Sequence, residues 1–555
     1  MFGRQQSQVR RIAPRMMKGQ RTAGFFLVLV AALAGSAGQA LTLDDTVARL
    51  EREGAVHAEA VRAIQRQLQK TADTRFAISL TLASPDVLEV DSVEVAVDNR
   101  TLGIYRADEG GLGPVFSGHL SDGTHTLTAI INARAANKRF VRREIVHGFE
   151  KRPVPLSLLM TIEASAPDYE PRARIVSDTR PIAEPGTQSE QMSAGRPSRQ
   201  QALLSQAEHA RIQGRLDQAG QILASMKADY LAAVGYMNLA TDFAKTDLNS
   251  SRAMIALRVA LSMAAQDSDQ PRRQDLLDQL NLRAGYLALQ GDEFDKAMGF
   301  LEKVALDSYH APRALYLHGL ALSGKENQRA AMQSWHRARK FPLAFPGVAE
   351  AWIGMGRGYD ISGYPGQAGE AWLAANVAFE GERTTLAMLV AGIREKGAYK
   401  TLVEDARGPE TQWFLADSRT LAQPRLAYLL RFLEEPGAQA SVRRVAQLDA
   451  IADALENHRH DLGVFSDALT RHGGQPGLQD QINTLALANR ALEREISDTR
   501  GRAAEILDEL ALDFVMSQDQ RMVHAIDRTE QQVAHLYEFL ALERLAHETG
   551  SERRP

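Results

Sequence analysis

A small residue returns at a nearly fixed interval through the middle of this 555-residue chain. The intervals are 34, 44, 34 and 37 residues, and they separate Ala219, Ala253, Ala297, Ala331 and Ala368. A period of roughly 20 to 50 residues is typical of supersecondary units that cannot bury their apolar faces alone and therefore stack. The two longer intervals fit insertions in connecting turns. The repeat thus predicts a stacked helical array over residues 201–380.

The residues around these alanines identify the repeating unit. The stretch "AWIGMGRGYDISGYPGQAGEAWLAA", residues 351–375, carries a ladder of large and small side chains: Trp352, Met355, Gly356, Tyr359, Gly363, Ala368, Trp372 and Ala375. This ladder resembles the tetratricopeptide repeat (TPR), and four partial copies precede it in the chain. The resemblance implies five helix pairs in a curved solenoid, with the first helix of each pair lining a concave peptide-binding face.

Three alternate glycines in the same stretch, Gly354, Gly356 and Gly358, could also suggest a nucleotide-binding loop. Such a loop needs a preceding strand, the full spacing to a third glycine and a downstream acidic residue within a βαβ unit. None of that context is present in the sequence. We therefore predict that these glycines lie inside a helix, where their small size permits close packing.

The resemblance also supplies candidate partner-binding residues. Carrying the family's groove positions onto this sequence gives Asn238, Asp242, Lys245, Tyr286, Arg313, Tyr316, Glu350, Arg357 and Asp360. The tyrosines and arginines among them are of the types that dominate binding hot spots. The alternative is that all nine are solvated polar residues of a superhelix that only spaces its neighbours.

The first forty residues differ from the rest of the chain. Six basic residues without an acidic one precede the apolar run "GFFLVLVAALAG", and small residues follow up to Ala40. This order predicts a secretory signal peptide over residues 1–40 and a periplasmic location, the alternative being an uncleaved signal-anchor helix. Removing it leaves 59 basic against 69 acidic residues, a balance of −10 that argues against general nucleic-acid binding. The absence of cysteine excludes disulfides and thiolate chemistry.

Between this segment and the repeats, the pattern changes twice. Residues 41–74 carry apolar residues at helical spacing, which Asp44 or Thr46 could cap. Residues 75–164 show period-two alternation with turns at Asp98–Asn99 and Asp122–Gly123, which predicts a small all-β sandwich; the phrase "DGTHTL" resembles immunoglobulin-like domains. Residues 165–200 are rich in proline and predict an extended linker.

The C-terminal part is predicted to be helical throughout, so the fold class is multidomain and mainly α with one small β-sandwich. Further helices are expected over residues 381–475 and long heptad-patterned helices over 476–548, with a disordered tail at 549–555. A phase shift between Leu510 and Met522 predicts a bend or an antiparallel hairpin rather than one helix. Asn489 at a seam position could fix the register of a partner. The seam could pack on the same chain or form a dimeric coiled coil.

Catalytic and metal-binding motifs are sparse. His458, His460 and His472 lie close in sequence, but the first two point to different faces of a helix, so no metal site, cofactor or catalytic residue is predicted. We expect a non-catalytic exported scaffold that binds envelope proteins or peptides, for example within a transport or polysaccharide-export machine. It would touch the membrane only through partners or an uncleaved signal helix. The alternatives are a glycan-acting enzyme with its site in residues 380–475, and a structural spacer.

Overall fold

The computed structural model describes residues 42–69, 72–83, 87–106, 113–135, 140–165, 170–178, 198–246, 250–404, 424–473 and 477–551. The predicted signal peptide lies outside these residues. Of the predicted disordered tail, residues 549–551 belong to the last helix, and the remainder lies outside the described chain. Within the described parts, no helix combines the length and the apolar composition that crossing a membrane requires.

Helix α1 (Leu43–Leu68) begins the described chain. Its N-cap is Thr42, whose hydroxyl accepts a hydrogen bond from the Asp45 amide at 3.2 Å, while the Asp45 carboxylate accepts one from the Thr42 amide at 3.3 Å. The prediction that Asp44 or Thr46 caps the helix is therefore wrong. Asp44 instead forms an ion pair with Arg444, far along the chain.

Eight strands follow and form two four-stranded sheets. Their bounds are β1 (Arg75–Leu82), β2 (Leu88–Val97), β3 (Arg100–Arg106), β4 (Pro114–His119), β5 (Gly123–Ala135), β6 (Phe140–Lys151), β7 (Leu156–Glu163) and β8 (Arg172–Asp178). The strand orders are β4-β1-β7-β8 and β3-β2-β5-β6, and only the β1–β7 pair is parallel among these strands. Alternate residues of both sheets meet in one apolar cluster that includes Phe76, Val93, Ile131 and Leu158.

The turns and the end of this β-strand region differ in part from expectation. Asp98 and Asn99 have positive φ angles of 50° and 66°, and they form the predicted hairpin turn between β2 and β3. The Asp122–Gly123 turn connects β4 in one sheet to β5 in the other. The predicted linker over residues 165–200 is wrong for β8, which pairs along β7 and turns Ala173 and Ile175 toward the apolar cluster.

Five helix pairs occupy the repeat region. They are α2 (Arg199–Ile212) with α3 (Leu216–Ala224), α4 (Tyr230–Thr246) with α5 (Ser251–Ala264), α6 (Gln270–Gln290) with α7 (Phe294–Leu301), α8 (Ala311–Gly324) with α9 (Gln328–Ala338), and α10 (Val348–Ile361) with α11 (Pro365–Lys396). Each of the five repeating alanines lies on the second helix of its pair and is buried. The chain is therefore mainly α-helical and TPR-like in this region.

Gly354, Gly356 and Gly358 lie inside α10, as predicted, and each faces a side chain of a neighbouring helix. A Cβ atom on Gly356 would lie 2.2 Å from the Trp372 indole nitrogen, and one on Gly319 would lie 2.2 Å from that of Trp335. Each indole instead donates a hydrogen bond to a backbone carbonyl of the first helix: Trp372 to Ile353 and Trp335 to Tyr316, both at 3.2 Å. Glycine thus lets a tryptophan lie directly against the neighbouring helix backbone.

The chain after the repeats folds back over the end of the solenoid. Helix α11 is 32 residues long and ends at Lys396, past the boundary at residue 380 that was predicted for the repeat region. A π-helical turn (Tyr399–Glu404), α12 (Pro424–Phe432), α13 (Ala438–His472) and α14 (Leu478–Ser551) follow. A large apolar core joins α10 to α14 with the first turns of α1, and includes Leu50, Phe379, Tyr428, Leu448 and Phe514.

Helix α14 is one continuous helix of 74 residues, about 110 Å long. The predicted bend or hairpin is therefore wrong. The buried positions keep the heptad spacing as far as Ala503. After Ala503 the spacing between buried residues repeats as four, four and three, through Ala503, Leu507, Ala511, Phe514, Gln518, Met522, Ala525 and Thr529. An 11-residue repeat corresponds to about 3.67 residues per turn. A nearly straight helix can therefore keep this stripe facing its neighbours, and the phase shift marks a change of repeat.

This register makes a simple prediction about two adjacent residues. Ile506, which continued heptad spacing after Ala503 would place on the seam, is 41% exposed, whereas Leu507 is 1% exposed. We expect Leu507→Ala to lower the free energy of unfolding by about 2–3 kcal/mol and Ile506→Ala to change it by less than about 0.5 kcal/mol. Urea denaturation followed by circular dichroism measures both. Equal losses would contradict the register.

The seam of α14 is filled by other helices of the same chain. Its first half packs on α1 and α13, and its second half packs on α11. Asn489 is fully buried there, and its amide donates hydrogen bonds to the Leu455 carbonyl at 3.1 Å and to Glu493 at 2.9 Å. The seam residues thus pack on the same chain, which is one of the two alternatives that the sequence left open, and Asn489 links α14 to α13 through the Leu455 carbonyl.

Candidate partner-binding site on the helix pairs

The nine predicted groove residues divide into groups with different surroundings. On α4, Asn238 lies 3.4 Å from Glu208, and Asp242 forms a 2.7 Å ion pair with Arg211, both partners being on α2. These two residues join successive repeats. Lys245, near the end of α4, is exposed.

Tyr286 on α6 and Arg313 on α8 lie together. The Arg313 guanidinium is 5.7 Å from the centre of the Tyr286 ring, within the range of a cation–π contact. The Tyr286 side chain is 40% exposed, and its hydroxyl accepts a hydrogen bond from Gln290 at 2.9 Å. An exposed aromatic ring held by an arginine is a ready contact for a partner.

Both residues line a cavity of about 280 Å³, here called the Tyr286 pocket. Its remaining walls come from α6, the start of α8 and the loop before it, the loop before α10, and the end of α12 with the residues after it: Gln279, Leu282, Arg283, Tyr309, His310, Pro312, Phe345, Pro346, Arg431 and Glu434. The pocket thus combines aromatic side chains with several cations.

Arg283 is the pocket residue that sequence reasoning missed. It is half-buried on α6, and its guanidinium donates to the Thr241 hydroxyl at 2.9 Å. Burial lowers the pKa of Arg283, and the charge of nearby Arg313 lowers it further. Among the described residues, no carboxylate forms an ion pair with Arg283 or Arg313. The pocket therefore holds two cations close together without an anion between them.

The opposite wall of the pocket is polar but internally paired. Arg431 forms an ion pair with Glu434, and burial raises the pKa of the neighbouring Tyr309 hydroxyl. His310 lies 3.8 Å from Asp275, and burial lowers the pKa of its imidazole. The excess positive charge is therefore on the Arg283 and Arg313 side.

The other predicted residues lie nearer α14. Tyr316 is half-buried, which raises the pKa of its hydroxyl, and Glu350 and Arg528 lie near it. One carboxylate oxygen of Glu350 is buried without a hydrogen-bond partner among the described groups. Arg521 of α14 lies near Glu350 and donates a hydrogen bond to the Leu343 carbonyl at 2.6 Å. Helix α14 thus crowds this end of the predicted row.

Arg357 and Asp360, farther along α10, are both exposed. Of the nine predicted residues, Tyr286 and Arg313 line the Tyr286 pocket, whereas Arg357 and Glu350 lie near Tyr316.

The three histidines singled out in the sequence do not converge. His458 faces His57 of α1, His460 faces the backbone of His119 in β4, and His472 contacts the Asp122 carboxylate at 2.6 Å. Across the described ranges, no group of three or more His, Cys, Asp or Glu side chains is placed to hold a metal ion.

No protein-family model and no curated protein matches the chain. Among solved structures, the chain is similar to MamA from AMB-1, with 21% identity, coverage of 32% of this chain and 96% of that chain, and a TM-score of 0.25. A tetratricopeptide repeat protein from Parabacteroides merdae shares 15% identity, with coverages of 52% and 98% and a TM-score of 0.25.

A third similar structure is a Rap protein complexed with Competence and Sporulation Factor. It shares 9% identity, with coverages of 54% and 87% and a TM-score of 0.22. The packing of this chain's own alanines, glycines and tryptophans defines its helix pairs.

Proposed function

We propose that this protein is an interaction scaffold that binds a segment of a partner protein at the Tyr286 pocket. The observation that carries the proposal is the pair of cations, Arg283 and Arg313, which face a cavity beside an exposed tyrosine without an anionic partner among the described residues. A half-buried guanidinium that lacks a counter-charge is costly to maintain, and a bound acidic group would offset that cost.

The dimensions of the pocket limit what can enter it. A cavity of about 280 Å³ is near the lower end of the range for small-molecule sites, and it suits one or two side chains of a longer segment. Tyr286 and Pro346 offer apolar contact, and Arg313 can form charge-assisted hydrogen bonds. We therefore expect a partner segment with an acidic residue next to an apolar one.

A photo-crosslinking amino acid placed at Gln279, on the wall of the pocket, tests the proposal in cells. We expect it to capture a small set of proteins, and Arg313→Ala to weaken the affinity for the captured partner by about tenfold or more, as loss of a hot-spot arginine does. Binding of the purified partner to each variant provides the affinity.

The matched control is Arg329→Ala, which removes an exposed arginine on the second helix α9. We expect that variant to bind normally. If Arg313→Ala and Tyr286→Ala also bind normally, the pocket is not the binding site, and a spacer role becomes the better description.

We also propose that the scaffold works in the periplasm, among the proteins of an envelope machine such as a transport or polysaccharide-export system. The charged, apolar and small-residue segments of residues 1–40 support this location. In this proposal the two sheets pack as a sandwich and offer a second docking surface. N-terminal sequencing of the exported protein should find a start directly after Ala40; retention of the segment would favour a signal anchor.

The alternative of a glycan-acting enzyme gains no specific support. Burial raises the pKa of Glu382 and raises that of Asp461 to about 7, but the two residues lie on different helices, α11 and α13. Neither lines the Tyr286 pocket. Glu382 accepts a hydrogen bond from the Tyr428 hydroxyl, whose side chain belongs to the apolar core.

A further inference from the structure

Helix α11 has apolar residues on two opposite faces, and in the part of the chain that the structure describes only one of these faces is covered. The covered face, which includes Trp372 and Phe379, packs on α10 and α14. The opposite face exposes large apolar side chains: Val377 is 75% exposed, Met388 63% and Leu373 49%. Apolar side chains that lie together on a surface mark an interaction site more often than those that lie singly.

The exposed face of α11 follows a strict heptad pattern. Its residues are separated by three, four, three, four and three positions, and all six are exposed and uncharged: Ala374, Val377, Gly381, Thr384, Met388 and Ala391. Residues at this spacing form a stripe on which a second helix can pack along its whole length. We call these six residues the outer seam. It is about 26 Å long at 1.5 Å per residue.

The second helices of the earlier pairs carry a different kind of surface. Leu373, which borders the outer seam, lies five residues after the repeating Ala368. The residues five positions after the other four repeating alanines are also exposed, and they are Ala224, Arg258, Glu302 and His336. Three of these four are ionisable, as is usual for the solvated side of a helix. The uncharged outer surface is therefore a property of the fifth pair and not of the repeat as such.

We propose that the outer seam is the contact between two copies of this chain, whose α11 helices pack antiparallel about a twofold axis. A twofold interface must be self-complementary, because the same residues face each other from both sides. With the axis midway between Gly381 and Thr384, every residue of the outer seam lies opposite a residue of the same seam in the second copy. The facing pairs, each present twice, are Ala374 with Ala391, Val377 with Met388, and Gly381 with Thr384.

Side-chain size and charge both fit this arrangement. The small residues at the centre and at the ends of the outer seam let the two backbones approach, and the Val377 and Met388 side chains fill the space between them, since methionine adapts to irregular gaps. Glu370, just before the seam, then lies opposite the far end of the second helix, where Arg394, Glu395 and Lys396 sum to a positive charge. Parallel helices would instead place like charges together, which is unfavourable.

The length of the outer seam limits the strength of the dimer. One pair of helices in contact over this length buries less than the roughly 800 Å² per partner of a standard stable interface, so we expect a reversible dimer with a dissociation constant of about 10–100 µM. The dimer does not depend on what the Tyr286 pocket binds. It would carry two such pockets, and a partner with two binding segments would therefore be held with avidity.

Sedimentation equilibrium of the full chain measures the association. We expect a monomer–dimer equilibrium that Val377→Glu weakens by at least about tenfold, with unchanged helical circular dichroism, because a hot-spot contact is lost at an exposed position. The control is Ile255→Glu, which adds the same charge at a 62% exposed residue of α5 and should leave the dimer unchanged. A chain that stays monomeric well above the expected dissociation constant would overturn the proposal, and so would a dimer that Val377→Glu does not weaken.

Opposite charges at facing positions test the register. Met388→Lys alone should also weaken the dimer, whereas Val377→Glu and Met388→Lys in the same chain should strengthen it again, because each introduced carboxylate then meets an introduced ammonium of the second copy. Within one chain the two positions are eleven residues apart, about 16 Å along the helix, so they cannot pair there. A double variant that associates no better than the single ones would contradict the antiparallel register.

Disulfide formation gives a second readout, because the chain has no cysteine of its own. Chains with Val377→Cys and chains with Met388→Cys should form linked dimers when they are mixed. Either variant alone should form far fewer, since identical positions of antiparallel helices are about 16 Å apart here, beyond the roughly 7 Å between Cα atoms that a disulfide can span. Equal linkage in the mixture and in the separate samples would show that the helices do not pack as proposed.

Discussion

Replacing Trp372 by alanine is expected to lower the free energy of unfolding of the helix pairs by about 3–5 kcal/mol. The indole is 2% exposed and packs against Ala368 and Leu536, so the substitution leaves a cavity between the fifth pair and α14. It also removes the hydrogen bond that the indole donates to the Ile353 carbonyl. Guanidinium denaturation monitored by circular dichroism at helical wavelengths measures the loss.

The neighbouring residue supplies the control for this substitution. Leu373 is 49% exposed, and Leu373→Ala should change stability by less than about 0.5 kcal/mol. Similar losses from both variants would show that Trp372 does not fill the space between the fifth pair and α14. Gly356→Ala probes the same contact from the other helix, where the added Cβ would meet the indole at 2.2 Å. It should cost about 1–3 kcal/mol through overpacking.

The second large effect is expected in the β-strand region, for Lys151→Met. The Lys151 ammonium is buried and donates to three backbone carbonyls: Asp73 at 2.8 Å, and Arg152 and Val154 at 2.7 Å each. Methionine preserves the stem but leaves these carbonyls without their donor, at about 1–3 kcal/mol for each that stays unsatisfied. We expect a total loss of about 3–5 kcal/mol.

Hydrogen exchange of the β1 and β7 amides measures this loss separately from the helical part. Arg152→Met is the control, because the Arg152 side chain is 73% exposed and its contact with Glu150 at 3.4 Å lies at the surface. It should leave exchange unchanged. Normal exchange protection in Lys151→Met would mean that water replaces the ammonium at little cost.

The repeat region could be predicted because its sequence signal is local and redundant. Each second helix carries a buried alanine, and in the last two pairs a glycine faces a tryptophan. These small residues specify how adjacent helices contact each other. The hairpin at Asp98 and Asn99 was predictable for a similar reason, since both residues tolerate the positive φ angles that the turn requires. In each case, neighbours in sequence are also neighbours in space.

Features that depend on distant residues were not predictable from these patterns. The interrupted heptads of α14 suggested a bend, because the sequence does not reveal that its neighbours change from α1 and α13 to α11. Strand β8 was obscured by the prolines around it, although β7 supplies its pairing. The binding roles predicted for Asn238 and Asp242 overlooked their partners on α2, and Arg283 carries no motif at all.

The packing of α1 has a consequence for the order in which the chain acquires its structure. Arg49 forms an ion pair with Glu495, 446 residues later, and Asp44 pairs with Arg444, 400 residues later. The apolar face of α1 therefore has no native partner until almost the whole polypeptide has been made. The β-strand region and the helix pairs can assemble from local contacts beforehand, so the first helix in sequence is among the last to dock. Shortening the chain before α13 would leave that face uncovered, as a target for chaperones and proteases.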